Sequence, residues 1–495
     1  MKSTVHTGRD ATITKANDDP FLVEFRQPFD SENPKDWPAR RKWVVTDSLS
    51  ASGFNRIMVS TIMAPALTTI QKELDMTAAE SAMALSVYLL ATAFGPLIIG
   101  PLSEVYGRKR VLHASNGWFI LWNIVCGFAN TKGLLISARF MAGFGASAIY
   151  ALGGGVLGDI WTTEERGRGL RIYLTISVLG SAVGPIVGGY MAGRASWRWM
   201  FWATSIFQVL MTAVTWTTVR ETFAPVILQR RAEKLRRDTG NTDYRTAYER
   251  LDDKKPLAQV LRQALTRPLR LLAFHPSLQM IGAMQAYNYG LLYVVLSRFA
   301  TVWVEQYSET VETSGLHYIS CALGEIVGSQ VGGPLMDRFF LRMLKRGAND
   351  GGGAGEQQRE HIPEFRLPLM LPGALVAPAG LLLYGWTAQY RVQWAAVDLG
   401  AFVYMFGSQL LGLPMQAYII DAWPEHTGSA LAATQFLRSM TAFAFPLFAP
   451  SMYAGLGYGW GNSVLSLVGV VLGVMCPLLL WRFGKRMRMR AGASY

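Results

Sequence analysis

The sequence predicts an all-α integral membrane protein of twelve transmembrane helices, arranged as two pseudo-symmetric six-helix halves. Three observations carry that prediction. Long apolar runs recur along the chain, basic residues crowd into alternate loops, and short strings at helix ends repeat six helices apart. Apolar residues make up 51% of the 495 and charged ones only 16%, where a soluble domain carries roughly a quarter charged. A run such as "LLISARFMAGFGASAIYALGGGVLG" is long enough to cross ~30 Å of hydrocarbon, which takes about 20 helical residues.

In chain order, residues 1–42 are polar and lack the apolar stretch of a signal peptide, so they read as a cytoplasmic tail and the first span has to direct its own insertion. Spans at roughly 43–69, 80–102, 111–129, 133–159, 169–192 and 197–219 form the N-terminal half, 43–219. Residues 220–274 are a basic cytoplasmic linker, read first as a solvated loop lying against anionic lipid; a short amphipathic surface helix with Pro225 near its start and Gly240 as its C-cap is the alternative. The C-terminal half, 275–483, has spans at roughly 275–304, 312–336, 367–387, 394–418, 427–455 and 461–483. The loop "KRGANDGGGAGEQQRE" between its second and third spans is Gly-rich and expected to be disordered. Residues 484–495 are a second cytoplasmic tail. The first, seventh and eighth spans are the least oily and are expected to face a polar interior.

Charge sets the orientation. With the N-terminus inside, cytoplasmic segments hold 37 of the 47 Lys and Arg, and the outer loops hold five: Lys72, Lys132, Arg194, Arg198 and Arg391. Without the long linker, a weak voter, the ratio is still 24 to 5. Both termini are therefore expected in the cytoplasm. The net charge of +13 is a topology signal directed at a lipid bilayer, and no nucleic-acid partner is expected. Cys126, Cys321 and Cys476 lie apart in apolar runs, so neither a disulfide framework nor a metal site is expected. No nucleotide-binding loop, metal set or nucleophile–base pair appears, which argues against an enzyme and against ATP-driven pumping.

The repeat is visible at four helix ends. "GPLSE" (Gly100 to Glu104) closes the second span and "GPLMD" (Gly333 to Asp337) the eighth. "GDIWTTEE" from Gly158 closes the fourth and "IDAWPEH" from Ile420 the tenth. Parallel six-helix repeats with a site near the bilayer midplane are a transporter plan.

Five arginines fall in or at the edge of spans: Arg56, Arg139, Arg171, Arg298 and Arg438. A charge at a helix centre costs about 2.5–3.5 kcal/mol on insertion scales, so embedded charges are functional candidates. Arg56 reads either as a contact for an anionic substrate or as a partner for Glu325 or a backbone carbonyl. Glu325, mid-span in "SCALGEIVGSQVGG", reads either as the exchangeable proton site or as a satisfied structural acid. Asp159, Asp337 and Asp421 sit at cytoplasmic helix ends, as caps or latches. Gln285, Tyr287, Asn288, Tyr289 and Tyr293 on the seventh span, with Gln435, Phe436, Arg438 and Phe443 on the eleventh, offer rings with polar tips suited to amphipathic ligands. Packing alone accounts for at least half of such rings.

From Asn33 to Phe483 the chain resembles the major facilitator superfamily, and within it the fungal twelve-span drug:proton antiporters. The loop after the second span is similar to the family pattern G-x-L-a-D-r-x-G-r-k through Gly100, Leu102, Gly107, Arg108 and Lys109, with Glu104 for the Asp and Val105 for a common Arg. Glu104 and its cations read as a cytoplasmic latch that contacts the other half when that side is closed, or as topology signals alone. "LISARFMAGFGAS" is similar to l-x-x-x-R-x-x-q-G through Leu135, Arg139 and Gly143, with Ala142 for the Gln. The resemblance gives Arg139 a part in proton movement beside Glu325 and Asp159; a structural Arg bonded to carbonyls is the alternative. "GSAVGPIVGG" matches g-x-x-x-G-P-x-x-G-G throughout, by Gly180, Gly184, Pro185, Gly188 and Gly189, and in the family this string marks exporters.

The resemblance implies a proton-coupled exporter of small amphipathic organic compounds such as drugs, toxins or secondary metabolites, working as a monomer by rocking its halves. It needs no cofactor beyond a proton gradient. The plasma membrane is the expected location, with the vacuolar membrane as alternative. Proton-coupled or facilitated import is the second reading; a sensor or scaffold is a third, which the short tails disfavour.

Overall fold

The computed structural model describes residues 20–26, 28–162, 165–248, 257–349, 363–423 and 427–492. Most of the Gly-rich loop, the first 19 residues of the expected tail and the side chain of Arg171 lie outside the described residues.

In the first half, α1 (Ala39–Thr61) stops ahead of Pro65, which cannot continue a helix. A 3-10 turn (Ala64–Ala66) and α2 (Leu67–Glu73) follow, so the first span ends sooner than residue 69. α3 (Ala78–Tyr106) starts from a capping box in which Thr77 and Glu80 satisfy each other's backbone N–H groups. Gly107, at φ +94°, turns the chain into α4 (Arg108–Gly127). The fourth span is two helices, α5 (Lys132–Ala146) and α6 (Ala148–Ile160), interrupted at Ser147. α7 (Arg166–Arg194) and α8 (Arg198–Thr218) complete the six.

The first part of the linker is a helix and not the solvated loop favoured above: α9 (Ala224–Thr239) has Pro225 in its first turn and Gly240 at φ +70° as its C-cap. The N-terminal tail docks on this linker, a contact that no motif announces. β1 (Leu22–Val23) pairs in parallel with β2 (Arg245–Thr246), and Asp30 accepts a 2.7 Å bond from Arg231 of α9. α10 (Leu257–Phe274) then leads to the second half.

There, α11 (Pro276–Gln306) is followed by a short α12 (Val311–Leu316) and by α13 (Tyr318–Asn349), so the eighth span is split at His317. A 3-10 turn (Pro363–Leu369) precedes α14 (Met370–Gln389), and α15 (Trp394–Ala422) forms the tenth span. α16 (Thr427–Gly492) supplies the last two, because the chain reverses at Gly457, φ +70°. The loop expected at 456–460 is therefore a one-residue bend, across which the Tyr453 hydroxyl donates to Asn462 Oδ1 at 2.9 Å.

Six described stretches are long and apolar enough to cross a membrane by length and composition, the last of them containing the Gly457 reversal. α1, α11 and α13, the spans expected to be least oily, are not among them, and neither are α4 and α8, so this measure does not single the three out. For α1 a polar interior is not the whole reason. Asn55 donates to Gln208 Oε1 at 3.0 Å, and Gln208 donates to Ser52 at 3.0 Å, so part of its polarity joins α1 to α8 inside the first half.

The core shows which end of the bundle is closed. At the end opposite the tails, one apolar cluster runs through both halves, from Ile62, Leu67 and Phe201 to Phe299, Trp303 and Tyr318. At the tail end each half has its own cluster, around Trp37, Ile160 and Val219 in the first and Leu278, Tyr418 and Trp423 in the second. The halves are thus joined by buried apolar surface at one end and packed separately at the other.

His317, at the opposite-end mouth, holds the split span in place. Its ring stacks on Trp303 at 3.6 Å, with Nδ1 2.8 Å from Asp398 and Nε2 3.1 Å from Glu309. His317→Gln is expected to lower stability by about 1–3 kcal/mol, because Asp398 and Glu309 then lose the ring they share. Thermal unfolding of the purified protein measures it, and a variant as stable as the wild type would refute the clasp.

Candidate functional site

The two halves meet along α7. Its glycines divide between two neighbours. A Cβ at Gly180 or Gly188 would collide with the carbonyls of Phe54 or Ile62, and at Gly184 it would lie 2.6 Å from Met58 O, so this face lies directly on the backbone of α1. A Cβ at Gly189 would lie 2.8 Å from Val311 O and 3.1 Å from Gly315 Cα, which places the next residue against α12 of the second half. Small residues permit that approach on both sides. Arg194 closes the same seam with a 3.1 Å bond to Glu312.

Glu325 faces this helix. Gly324 and Gly328 of α13 pack on α15, where a Cβ would lie 2.5 Å from Phe402 O and 2.9 Å from Phe406 O. The residue after Gly324 is turned toward α7, where Glu325 Oε2 accepts a 2.9 Å bond from the Ser181 hydroxyl. Glu325 is 7% exposed and forms no ion pair among the described residues. Ser181 is the second residue of the glycine string, where its neighbours' spacing drew attention away from it. It lies 13 residues from the end of α7, about 20 Å of helix rise and so well inside the bilayer.

Arg56 does not pair with Glu325. The interruption at Ser147 leaves the Ala146 carbonyl free to take Arg56 Nη1 at 3.4 Å, and Nη2 donates to Asn116 Oδ1. Arg139, fully buried, donates to the carbonyls of Val59 (2.9 Å), Ala84 (3.2 Å) and Leu85 (3.3 Å). Both guanidiniums thus take carbonyl partners in the first half; Arg139 joins α5 to α1 and α3 and touches no carboxylate in these bonds.

The aromatic candidates separate into two groups. Tyr289 and Tyr293 meet edge to face at 5.2 Å, and the Tyr293 hydroxyl lies 3.4 Å from Ser60 of the first half. Phe436 packs on Phe94 at 5.6 Å, and Gln435 donates to Ser439, which lies 2.9 Å from Thr92. These residues line the seam between halves. Tyr287 and Asn288 turn the other way: Tyr287 bonds the Leu465 carbonyl, Asn288 pairs with Ser408, and both line a small cavity of about 20 Å³ inside the second half. Gln285 is buried and Phe443 half-buried.

The loop motif forms a charge cluster at the tail end. Arg108 donates to Ser103 at 2.6 Å and lies 3.5 Å from Asp159, and its backbone N–H donates to Glu221 at 2.8 Å. Lys109 reaches the Trp216 carbonyl at 3.3 Å, while Glu104 is exposed. Gly100 has open space around it, and a Cβ at Gly107 would strike Glu221. In the second half Arg366 bridges Asp421 (2.9 Å) and Asp337 (3.3 Å). The repeat strings therefore mark equivalent clusters, the first closed by its own half with the start of the linker and the second within its own half. Among the described residues, the contact between halves expected of a latch is not made, in keeping with the separate cores at this end. Glu221 and Arg366, which complete the clusters, carry no motif that singles them out. Arg108→Ala is expected to lower stability by about 1–3 kcal/mol, between the values for exposed and buried pairs, because Asp159 then loses its cation and Ser103 its donor, while Glu221 keeps its backbone N–H. Thermal unfolding of the purified protein measures it.

Comparison with known proteins agrees with this geometry. Residues 49–446 match the family model of the Major Facilitator Superfamily. The chain is 51% identical over 434 residues to the "Probable efflux pump mfs2" of Aspergillus flavus, covering 88% of this chain and 100% of that protein. It is 38% identical over 474 residues to the "Efflux pump vrtL" of Penicillium aethiopicum, covering 96% of this chain and 91% of the relative. Among solved structures it resembles the partially occluded inward-open xylose transporter XylE of E. coli, with TM-score 0.61 and 15% identity over 90% of this chain and 98% of that one. A bacterial homologue of the human lysosomal transporter Spinster, in an inward-facing conformation, gives TM-score 0.62 and 13% identity over 92% of this chain and 99% of that one. At these identities the two structures speak for the fold alone. The chain belongs to the Major Facilitator Superfamily and is a multi-pass integral membrane transporter rather than an enzyme.

Proposed function

We propose that this protein is a proton-coupled exporter of small amphipathic organic compounds, exchanging cargo against protons by alternating access between its halves. The observation that carries the reading is the bond between Ser181 and Glu325. It joins a titratable carboxyl of one half to the glycine string of the other, within the membrane and without an ion pair among the described residues. An ionised carboxylate there is costly unless the halves part and water enters. Protonation then favours the arrangement closed at the opposite end, and loss of the proton favours its opening. Relatives named efflux pumps support the outward direction, as does the complete glycine string.

In this reading the tail end faces the cytoplasm and the protein resides in the plasma membrane, acting as a monomer. Purified protein in vesicles tests it. Under an imposed pH gradient, cargo is expected to move against the proton flow. Movement of cargo with the protons would establish import instead.

A further inference from the structure

Arg438 differs from the other described arginines within the bundle. Arg56 and Arg139 rest on carbonyls, and Arg298 interacts with the Tyr458 hydroxyl. The Arg438 guanidinium forms no ion pair and donates no hydrogen bond among the described residues. It lies over the Tyr289 ring at 4.3 Å. Arg438 is 11 residues into α16, about 16 Å from its start, which puts it near the midplane. It is half-buried, so its cationic head is reachable.

Its surroundings come from both halves. The Tyr150 phenol, from α6, interacts with Tyr289 and with Arg438. Tyr150 is 38% exposed although it sits at the seam between halves, and Phe94, which meets Phe436 across that seam, is 40% exposed. One cation, phenolic hydroxyl groups and accessible rings therefore converge on the path between the halves. A ring face attracts a guanidinium but does not neutralise it. A planar carboxylate does, through paired N–H donors that fit its two oxygens.

We infer that Arg438, with Tyr150 and Tyr289, forms an anion subsite on the transport path that takes the carboxylate of an aromatic organic acid, whose rings pack along Phe94 and Phe436. This deepens the export reading by naming a cargo class. The carboxylate binds between the guanidinium and the phenolic hydroxyl groups, and the methyl ester of the same acid cannot make that ionic contact. Contributions from both halves let the bound anion sense their separation.

The test uses the full-length protein in detergent and three probes of increasing size: 2-naphthoate, anthracene-9-carboxylate and pyrene-1-carboxylate, each with its methyl ester. Ligand fluorescence reads binding, and thermal unfolding checks the fold. At least one acid is expected to bind about tenfold or more tightly than its ester, the range for a charge-assisted contact. Arg438→Gln is expected to weaken the acid by about the same factor and leave the ester within about twofold, with Arg438→Lys intermediate. The inference is overturned if folded wild-type protein binds none of the acids, or binds the esters equally well. An unchanged acid affinity in folded Arg438→Gln also overturns it. The acid-over-ester preference needs no variant, so a misfolded variant leaves that arm decisive. If the acid binds as expected but no pH gradient moves it across vesicles, the export reading fails while the subsite stands.

Discussion

Glu325→Gln is expected to reduce proton-driven efflux to the level of protein-free vesicles, while the protein folds and still binds cargo. Gln has the same shape, and its amide oxygen can keep the bond from Ser181, so the fold is expected to change by less than about 1 kcal/mol. What disappears is the ability to exist in two charge states. With a permanently neutral side chain, the arrangement closed at the opposite end is no longer penalised when the proton leaves, and the gradient has nothing to act on. Ser181→Ala is the companion. It removes one hydrogen bond, about 1 kcal/mol against a neutral carboxyl and about 1.5–3 kcal/mol against a charged one, and shifts the pH dependence of transport without abolishing it. Flux measured against external pH separates the two variants. Full pH-driven flux in Glu325→Gln would transfer the proton to another group.

Gly188→Val is expected to have the largest effect on stability, at or beyond the top of the ~1–3 kcal/mol usual for overpacking. Its side chain would meet the Ile62 carbonyl of α1, and backbone cannot rotate aside as a side chain does. Thermal unfolding of the detergent-solubilised protein reads the loss. Gly189→Ala makes the comparison informative, because the neighbouring residue faces Val311 and Gly315 of the other half. It is expected to loosen the closed end and raise accessibility to thiol reagents introduced at that mouth, with a smaller loss of stability. Equal effects from both would mean that the string packs one interface only.

Much of the fold was legible because lipid leaves a chain few choices. Apolar length, basic loops and strings repeated six helices apart each follow from one constraint, and they agreed on twelve spans. Breaks inside spans were not legible. Ser147 and His317 interrupt helices at places no proline marks, and what holds them is tertiary: Arg56 on the Ala146 carbonyl, and Asp398 with Glu309 on the imidazole. The site was legible in its unusual residues, such as Glu325 and the glycine string, but not in their partners. Ser181 and Tyr150 are common residues whose meaning is positional. Tyr287 and Asn288 share a helix with Tyr289, yet a rotation of about 100° per residue sends them into the second half instead of the seam.

The tail's attachment to the linker has a mechanical consequence. Arg231 on Asp30 and the two paired strands moor the connecting segment as far as Thr246 to the stretch just ahead of α1. In the proposed alternating-access cycle, the connector as far as Thr246 therefore travels with the first half. Shortening the connector before Thr246 disturbs an anchor, whereas shortening it afterwards restricts the stroke.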